Sequence, residues 1–146
     1  MIDVNSGDII FDDSSFNAQT QLAEMEATPG AKITPCLSGR TQLSMGSRSF
    51  KDSSWGVGLV FSYEKLSQIW LQCLSADGVD AKAWSLENEK LRKVTHDLVV
   101  NRLCSSSSTA VKSASSLTYK FSWGTISSTL DVRGVQALVL VEYLQA

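Results

Sequence analysis

The sequence predicts an α+β fold, a mostly antiparallel β-sheet with one long and one shorter helix packed on one of its faces. Three observations predict it. Several stretches alternate apolar and polar residues, as half-buried strands do. The clearest of these stretches are separated only by short turns, which favours antiparallel hairpins. One long stretch instead repeats its apolar residues every three or four positions, as an amphipathic helix does.

The first clear hairpin lies in the middle of the chain. Residues 55–63 alternate, with Val57, Leu59, Phe61 and Tyr63 on one side, and residues 66–74 alternate less cleanly. Only a few residues around Tyr63–Leu66 separate the two runs, so we expect two antiparallel strands joined by a tight turn. Cys73 lies in the second run, where we expect a small core residue.

The long helix is predicted over residues 84–104. Ser85 is a suitable N-cap, and Glu87 and Glu89 suit the positive end of the helix dipole. We expect the core-facing stripe to be Leu91, Val94, Leu98, Val99 and Leu103. We expect the solvent-facing side to be Glu89, Arg92, Lys93 and His96.

A second hairpin is predicted at the C-terminal end. The runs Leu117–Leu130 and Val135–Leu144 are joined by Asp131–Gly134, whose first and last residues suit a tight turn. The last run is apolar on both sides over its middle, which indicates a central or covered strand. Before it, the serine-rich residues 105–116 indicate a flexible loop.

The N-terminal third has weaker signals. Asp8–Phe11 is predicted as a short strand, and Ser14 or Ser15 as the cap of a shorter helix that runs to about Ala27. Residues 28–51 are weakly patterned, and Thr41–Phe50 is the one stretch there with the character of an edge strand.

Composition sets limits on function. The 146 residues carry 13 Lys and Arg against 15 Asp and Glu, a net charge of −2. That length predicts one domain over residues 1–146. The charge disfavours a basic nucleic-acid module, and no apolar run approaches the roughly 18 residues of a membrane span. The three cysteines form no disulfide pattern and the N-terminus has no signal-peptide features, so we expect a cytoplasmic protein.

The sequence offers little catalytic equipment. His96 is the one histidine, and its neighbour Asp97 points about 100° away from it on a helix, so the pair does not form a base and its orienting carboxylate. No nucleophile elbow, metal-ligand spacing or phosphate-binding loop occurs. We therefore expect no catalytic residues, no metal and no cofactor, with His96 on the solvent side of its helix.

One set of residues resembles a known group. Phe121–Ser128, Asp131, Arg133–Gly134 and Tyr143, together with Trp84–Glu87 and His96–Asp97, are similar to a motif of small bacterial proteins, over roughly residues 55–143. In size and in their lack of catalytic residues these proteins resemble the immunity proteins of interbacterial competition systems. The resemblance implies that the chain binds a cognate protein toxin or effector and occludes its toxin domain.

Under that interpretation the partner-binding residues are exposed acids and one aromatic anchor. Acidic groups steer association with the basic clefts that are common in toxins acting on nucleic acids or nucleotides. Trp55 is the preferred anchor because it follows a polar loop at the start of a strand. The candidate acids are Asp8, Asp12, Asp13, Asp52, Asp77 and Asp80.

Two other functions remain open. A small acidic secretion chaperone would bind an effector segment and should have an exposed apolar groove. A small enzyme with a cryptic site would need His96 or a carboxylate pair inside a concave pocket. No interpretation includes nucleic acid or a membrane as partner, and both a monomer and a homodimer fit the pattern.

Overall fold

The structure is a computed structural model that describes residues 1–80 and 82–145. It confirms the α+β class, with an eight-stranded antiparallel sheet, a separate two-stranded sheet and two helices in the described residues. None of those helices combines the length and the apolar character needed to span a bilayer. In chain order the elements are β1 (Ile9–Ile10), β2 (Ser15–Phe16), α1 (Leu22–Glu26), β3 (Lys32–Pro35), β4 (Arg40–Phe50), β5 (Ser53–Ser62), β6 (Lys65–Cys73), α2 (Leu86–Cys104), β7 (Ala110–Lys112), β8 (Ser116–Phe121), β9 (Gly124–Asp131) and β10 (Gln136–Tyr143).

The large sheet consists of two antiparallel meanders joined at their last strands. The strand order is β3-β4-β5-β6-β10-β9-β8-β7, so β6 and β10 form the join. Their ladder runs from the pair Leu71–Val139 to the pair Gln68–Glu142. The helix α2 connects the meanders and packs against β6, β9 and β10, so it lies across the join.

One face of the sheet forms the core. Alternate residues of the central strands are buried there, as the period of two requires, and α2 and the N-terminal segment cover them. Two hydrogen bonds hold the N-terminal segment in place. Trp123 Nε1 donates to the Val4 carbonyl at 2.9 Å, and the Tyr143 hydroxyl donates to the Gly7 carbonyl at 2.7 Å. Burial raises the pKa of Tyr143, with a smaller contribution from the negative charge of Asp8.

Both predicted hairpins are confirmed, with changes in detail. β5 pairs with β6 around a turn at Tyr63–Glu64, and β9 pairs with β10 around a turn at Val132–Val135. The run 117–130 is two strands rather than one, because Phe121 pairs with Gly124 across a tight turn. The serine-rich stretch contains the short strand β7, and the strand β3 lies in a region with no predicted element.

The predicted N-terminal helix is mostly wrong. Ser15 and Phe16 form the strand β2, and the helix α1 is confined to five residues, Leu22–Glu26. Phe16 is 2% exposed and packs edge-to-face on Phe11, with 6.4 Å between ring centroids. Burial of these two rings by a small β1–β2 hairpin overrides a weak local helical preference.

The helix α2 is confirmed but its predicted orientation is wrong. It begins after Ser85, whose hydroxyl accepts from Asn88 N at 3.2 Å as the N-cap prediction requires. Its buried side contains Glu89, Arg92 and His96, which were predicted to face solvent. Leu91, Val94 and Leu98, predicted to face the core, are 44%, 57% and 61% exposed. Val99 and Leu103 are partly buried against the core.

We predict that Gly58→Ala destabilises the fold while Gly56→Ala on the same strand does not. A Cβ at Gly58 would lie 1.8 Å from the Trp70 ring, whereas one at Gly56 would meet nothing closer than 3.8 Å. The indole would have to leave its place against β5, at a cost of about 1–3 kcal/mol. Urea unfolding measures the difference, and equal stabilities of the two variants would contradict this account.

Candidate functional site

The join between β6 and β10 opens at one end. Its ladder stops at the pair Leu71–Val139, although continued register would place Cys73 opposite Ala137. Leu74 N donates to Ser54 O at 2.8 Å, so the alternating antiparallel pattern turns the N–H and C=O of Cys73 away from β5 and toward β10. These buried backbone groups need other partners, because an unpaired one costs about as much as a lost hydrogen bond.

Three polar side chains of α2 supply those partners. Arg92 Nε donates to Cys73 O at 2.9 Å, and His96 Nε2 accepts from Cys73 N at 2.9 Å. On the other strand, Glu89 Oε1 accepts from Ala137 N at 3.0 Å. Glu89 and Arg92 also form an ion pair within the helix. We call Glu89, Arg92 and His96 the polar wedge, since they occupy the opening between the strands and bridge both of them to α2.

His96 has a structural position rather than the predicted surface position. Its ring is fully buried and stacks on Trp55, with 5.8 Å between centroids and 20° between planes. Burial lowers the pKa of His96 to about 4, helped by the positive charges of Arg92 and Lys93 and opposed by Asp97. Because Nε2 accepts from Cys73, the neutral ring carries its proton on Nδ1, which has no hydrogen-bond partner in the described residues.

Four of the six predicted acids gather at the β4–β5 hairpin. Asp12 Oδ1 accepts from Lys51 N at 3.3 Å, and the exposed Asp13 lies 3.5 Å from the partly buried Arg48 in an ion pair. Asp52 lies in the turn itself and, with Asp77, lines a neighbouring cavity of about 660 Å³. We call this space the hairpin cavity. It is completed by Lys51, Trp55, Leu98, Arg102 and Leu103, among others.

The remaining predicted residues lie elsewhere. Asp8 is partly buried beside Tyr143 at the N-terminal segment, and Asp80 precedes α2, where its carboxylate accepts from Lys82 N at 2.9 Å. Trp55 is 2% exposed and belongs to the core, with its Nε1 donating to Ser53 Oγ at 3.0 Å. The ring reaches the outside only as part of the wall of the hairpin cavity, so it is not the protruding anchor that the sequence indicated.

Sequence reasoning missed two exposed features. Trp84 is 79% exposed and is held in place because its Nε1 donates to Val135 O at 2.7 Å. It borders a polar cavity of about 380 Å³ at the mouth of the wedge, lined in part by Lys82, Arg92 and Gln136. The second feature is the apolar outer side of α2, which we call the outer stripe and define as Leu91, Val94 and Leu98. The apolar spacing was recognised, but the spacing alone does not say which side is covered.

The three cysteine thiols differ in their exposure to solvent. Cys36 is exposed, whereas Cys73 and Cys104 are buried, and burial raises the pKa of Cys104 to about 11. Within the described residues, no three His, Cys, Asp or Glu side chains are arranged to hold a metal ion. His96 is enclosed by protein and lies in neither cavity described above.

Comparisons with protein-family models, curated proteins and solved structures give no significant match for this chain.

We predict that Arg92→Met destabilises the protein far more than Lys93→Met does. Arg92 bridges the backbone of β6 to a buried carboxylate, and its loss leaves Glu89 without its ion-pair partner, which costs about 3–5 kcal/mol. Lys93 forms an (i, i+4) pair with Asp97 at 2.6 Å near the surface, which contributes less than about 1 kcal/mol. Chemical denaturation measures the free energy of unfolding of both variants. Similar decreases in the two would refute the central role of the polar wedge in stability.

We also predict that acid weakens the fold through His96. Its pKa is about 4 in the folded protein and 6.5 when unfolded, so the unfolded chain takes up the proton first as the pH falls below 6.5. The free energy of unfolding should therefore fall by about 2 kcal/mol between pH 7.5 and pH 5. His96→Gln keeps an acceptor for Cys73 N but does not titrate. Its stability should change much less over the same range, and a wild-type pH dependence in this variant would exclude the assignment.

Proposed function

We propose that the protein is a non-catalytic immunity protein that neutralises a cognate bacterial toxin by binding and occluding its toxin domain. It would act in the cytoplasm and supply no chemistry of its own. The proposal follows the sequence resemblance and rests structurally on one observation, the position of Asp52 and Asp77 at the hairpin cavity, with Asp12 and Asp13 contacting Lys51 and Arg48 of the adjoining β4–β5 hairpin.

The hairpin cavity suits a basic side chain of a partner. Asp52 and Asp77 are exposed carboxylates at its rim, while Leu98, Leu103 and the Trp55 ring provide apolar wall. Lysine and arginine bind in such places by laying an aliphatic stem on apolar surface and directing the charged head to a carboxylate. Lys51 and Arg102 also line the cavity, so a partner's cation would have to lie beside the two carboxylates and away from these two basic groups.

The position of His96 favours binding over catalysis as the role of this chain. A general base must lie within hydrogen-bond reach of a substrate proton. His96 Nε2 is already bonded to Cys73 N and the ring is enclosed, so its environment is that of a structural residue.

The first experiment is capture of the partner and a test of inhibition. The tagged protein is used as bait in lysate of its native host, and a captured toxin domain is purified and assayed with increasing amounts of the wild-type protein. The proposal predicts loss of the toxin's activity at a fixed stoichiometric ratio. A lysate that contains the expressed toxin but yields no complex, or a complex that leaves the toxin fully active, would overturn it.

We predict that Asp52→Asn/Asp77→Asn slows association with that toxin by roughly threefold to tenfold at low salt, because rim charges act mainly on the association rate. The matched control is Glu24→Gln/Glu26→Gln, which removes the same charge from exposed positions on α1. Stopped-flow or surface-binding kinetics at two salt concentrations measure both variants. Equal association rates for the two would rule out the hairpin cavity as the docking site.

The outer stripe favours a second candidate, a secretion chaperone that captures an apolar effector segment. Leu91, Val94 and Leu98 form exposed apolar surface on a helix, which is the kind of surface such a segment can cover. A chaperone would be recovered with the N-terminal or apolar part of an effector rather than with its folded toxin domain, and it would not inhibit that domain.

A further inference from the structure

The helix α2 has apolar residues on the side that faces away from its own sheet. Its inward side holds the polar wedge together with Val100 and Cys104, while the outer stripe is exposed. An amphipathic helix normally buries its apolar side. Here the wedge determines which side faces the sheet, so the apolar side has no covering within the described residues.

The exposed side of α2 is symmetric about its own middle. We take as reference the radial direction midway between Val94 and Thr95 on a helical wheel with 100° per residue. Leu91 and Leu98 lie about 10° on either side of this direction. Glu87 and Arg102 lie about 30° on either side of the same direction. The same side thus carries an acid at one end, a base at the other, and apolar residues between them.

We propose that this side of α2 is the interface of a homodimer in which two copies of the helix pack antiparallel about a two-fold axis. The axis lies midway between the two helices, at the level of Val94 and Thr95. Leu91 of each copy then faces Leu98 of the other, and Glu87 faces Arg102. A two-fold interface requires a surface that is complementary to itself, and this arrangement meets the requirement.

Charge complementarity selects a second copy as the occupant. Glu87 and Arg102 are both exposed, and neither forms an ion pair in residues 1–80 and 82–145. They are fifteen positions apart, about 22 Å along the helix. An apolar peptide segment would cover the stripe but leave both charges unpaired, whereas a second α2 pairs both at once, in two symmetric contacts.

The dimer does not rest on the toxin-binding proposal, because the argument for it uses α2 alone and needs no other protein. The two surfaces adjoin, since Leu98 and Arg102 belong to both. The dimer also has a local consequence for the hairpin cavity. Arg102 lines that cavity, so pairing with Glu87 of the second copy would partly neutralise a cation there and leave Asp52 and Asp77 more dominant.

The first test compares two valines of nearly equal exposure. Val94 is 57% exposed on the outer stripe and Val132 is 55% exposed in the β9–β10 turn. Light scattering after size exclusion should find a dimer for the wild type and Val132→Glu. Val94→Glu should weaken dimerisation by roughly tenfold or more, since a charge is placed at the centre of an apolar contact. Far-UV circular dichroism checks that both variants are folded. A monomeric wild type, or a dimer that Val94→Glu does not weaken, would overturn the proposal.

Charge reversal tests the antiparallel arrangement. Glu87→Arg and Arg102→Glu each place like charges opposite one another and should each weaken the dimer. The double variant Glu87→Arg/Arg102→Glu restores opposite charges and should recover the wild-type dissociation constant within a factor of about three. A double variant no better than the worse single one would exclude this pairing. Sedimentation velocity over a concentration series provides the constants.

Discussion

The opening between β6 and β10 is the constraint on which the rest of this structure depends. At this point Cys73 and Ala137 would pair if the ladder continued, but instead their backbone groups bond to side chains of α2. Such groups cannot be buried without partners. A helix that covers this join must therefore present donors and acceptors to it, and Glu89, Arg92 and His96 meet that requirement at successive turns of one side.

The orientation of α2 follows from this constraint and determines both candidate interaction surfaces. With the polar wedge turned inward, Leu91, Val94 and Leu98 must lie on the opposite side, where they form the outer stripe. The same rotation makes Leu98 and Arg102 part of the hairpin cavity. The dimer interface and the toxin-binding site that we propose therefore lie next to each other, and the positions of both depend on the same buried hydrogen-bond network.

The sequence identified part of the candidate site. Asp52 and Asp77 were selected as exposed loop acids, and the fold brings them to one cavity although 25 positions separate them. Asp8 and Asp80 were selected on the same grounds and lie apart from it, because exposure of an acid can be read from local polarity but proximity between loops depends on the sheet order. Trp55 departed from its expected role as an exposed anchor for a related reason. Burial of Trp55 depends on stacking with His96 from a distant helix.

By itself the sequence determined the α+β class, both predicted hairpins and the extent of α2, because these depend on local periodicity, turn residues and a cap at Ser85. Only the tertiary structure decided which side of α2 is buried. Periodicity predicts burial of the apolar side when the neighbouring surface is apolar and its backbone polar groups already have hydrogen-bond partners. Here the surface beneath the helix includes backbone groups of Cys73 and Ala137 that the strand ladder leaves without partners, and only the polar side of α2 offers side chains that can bond to them.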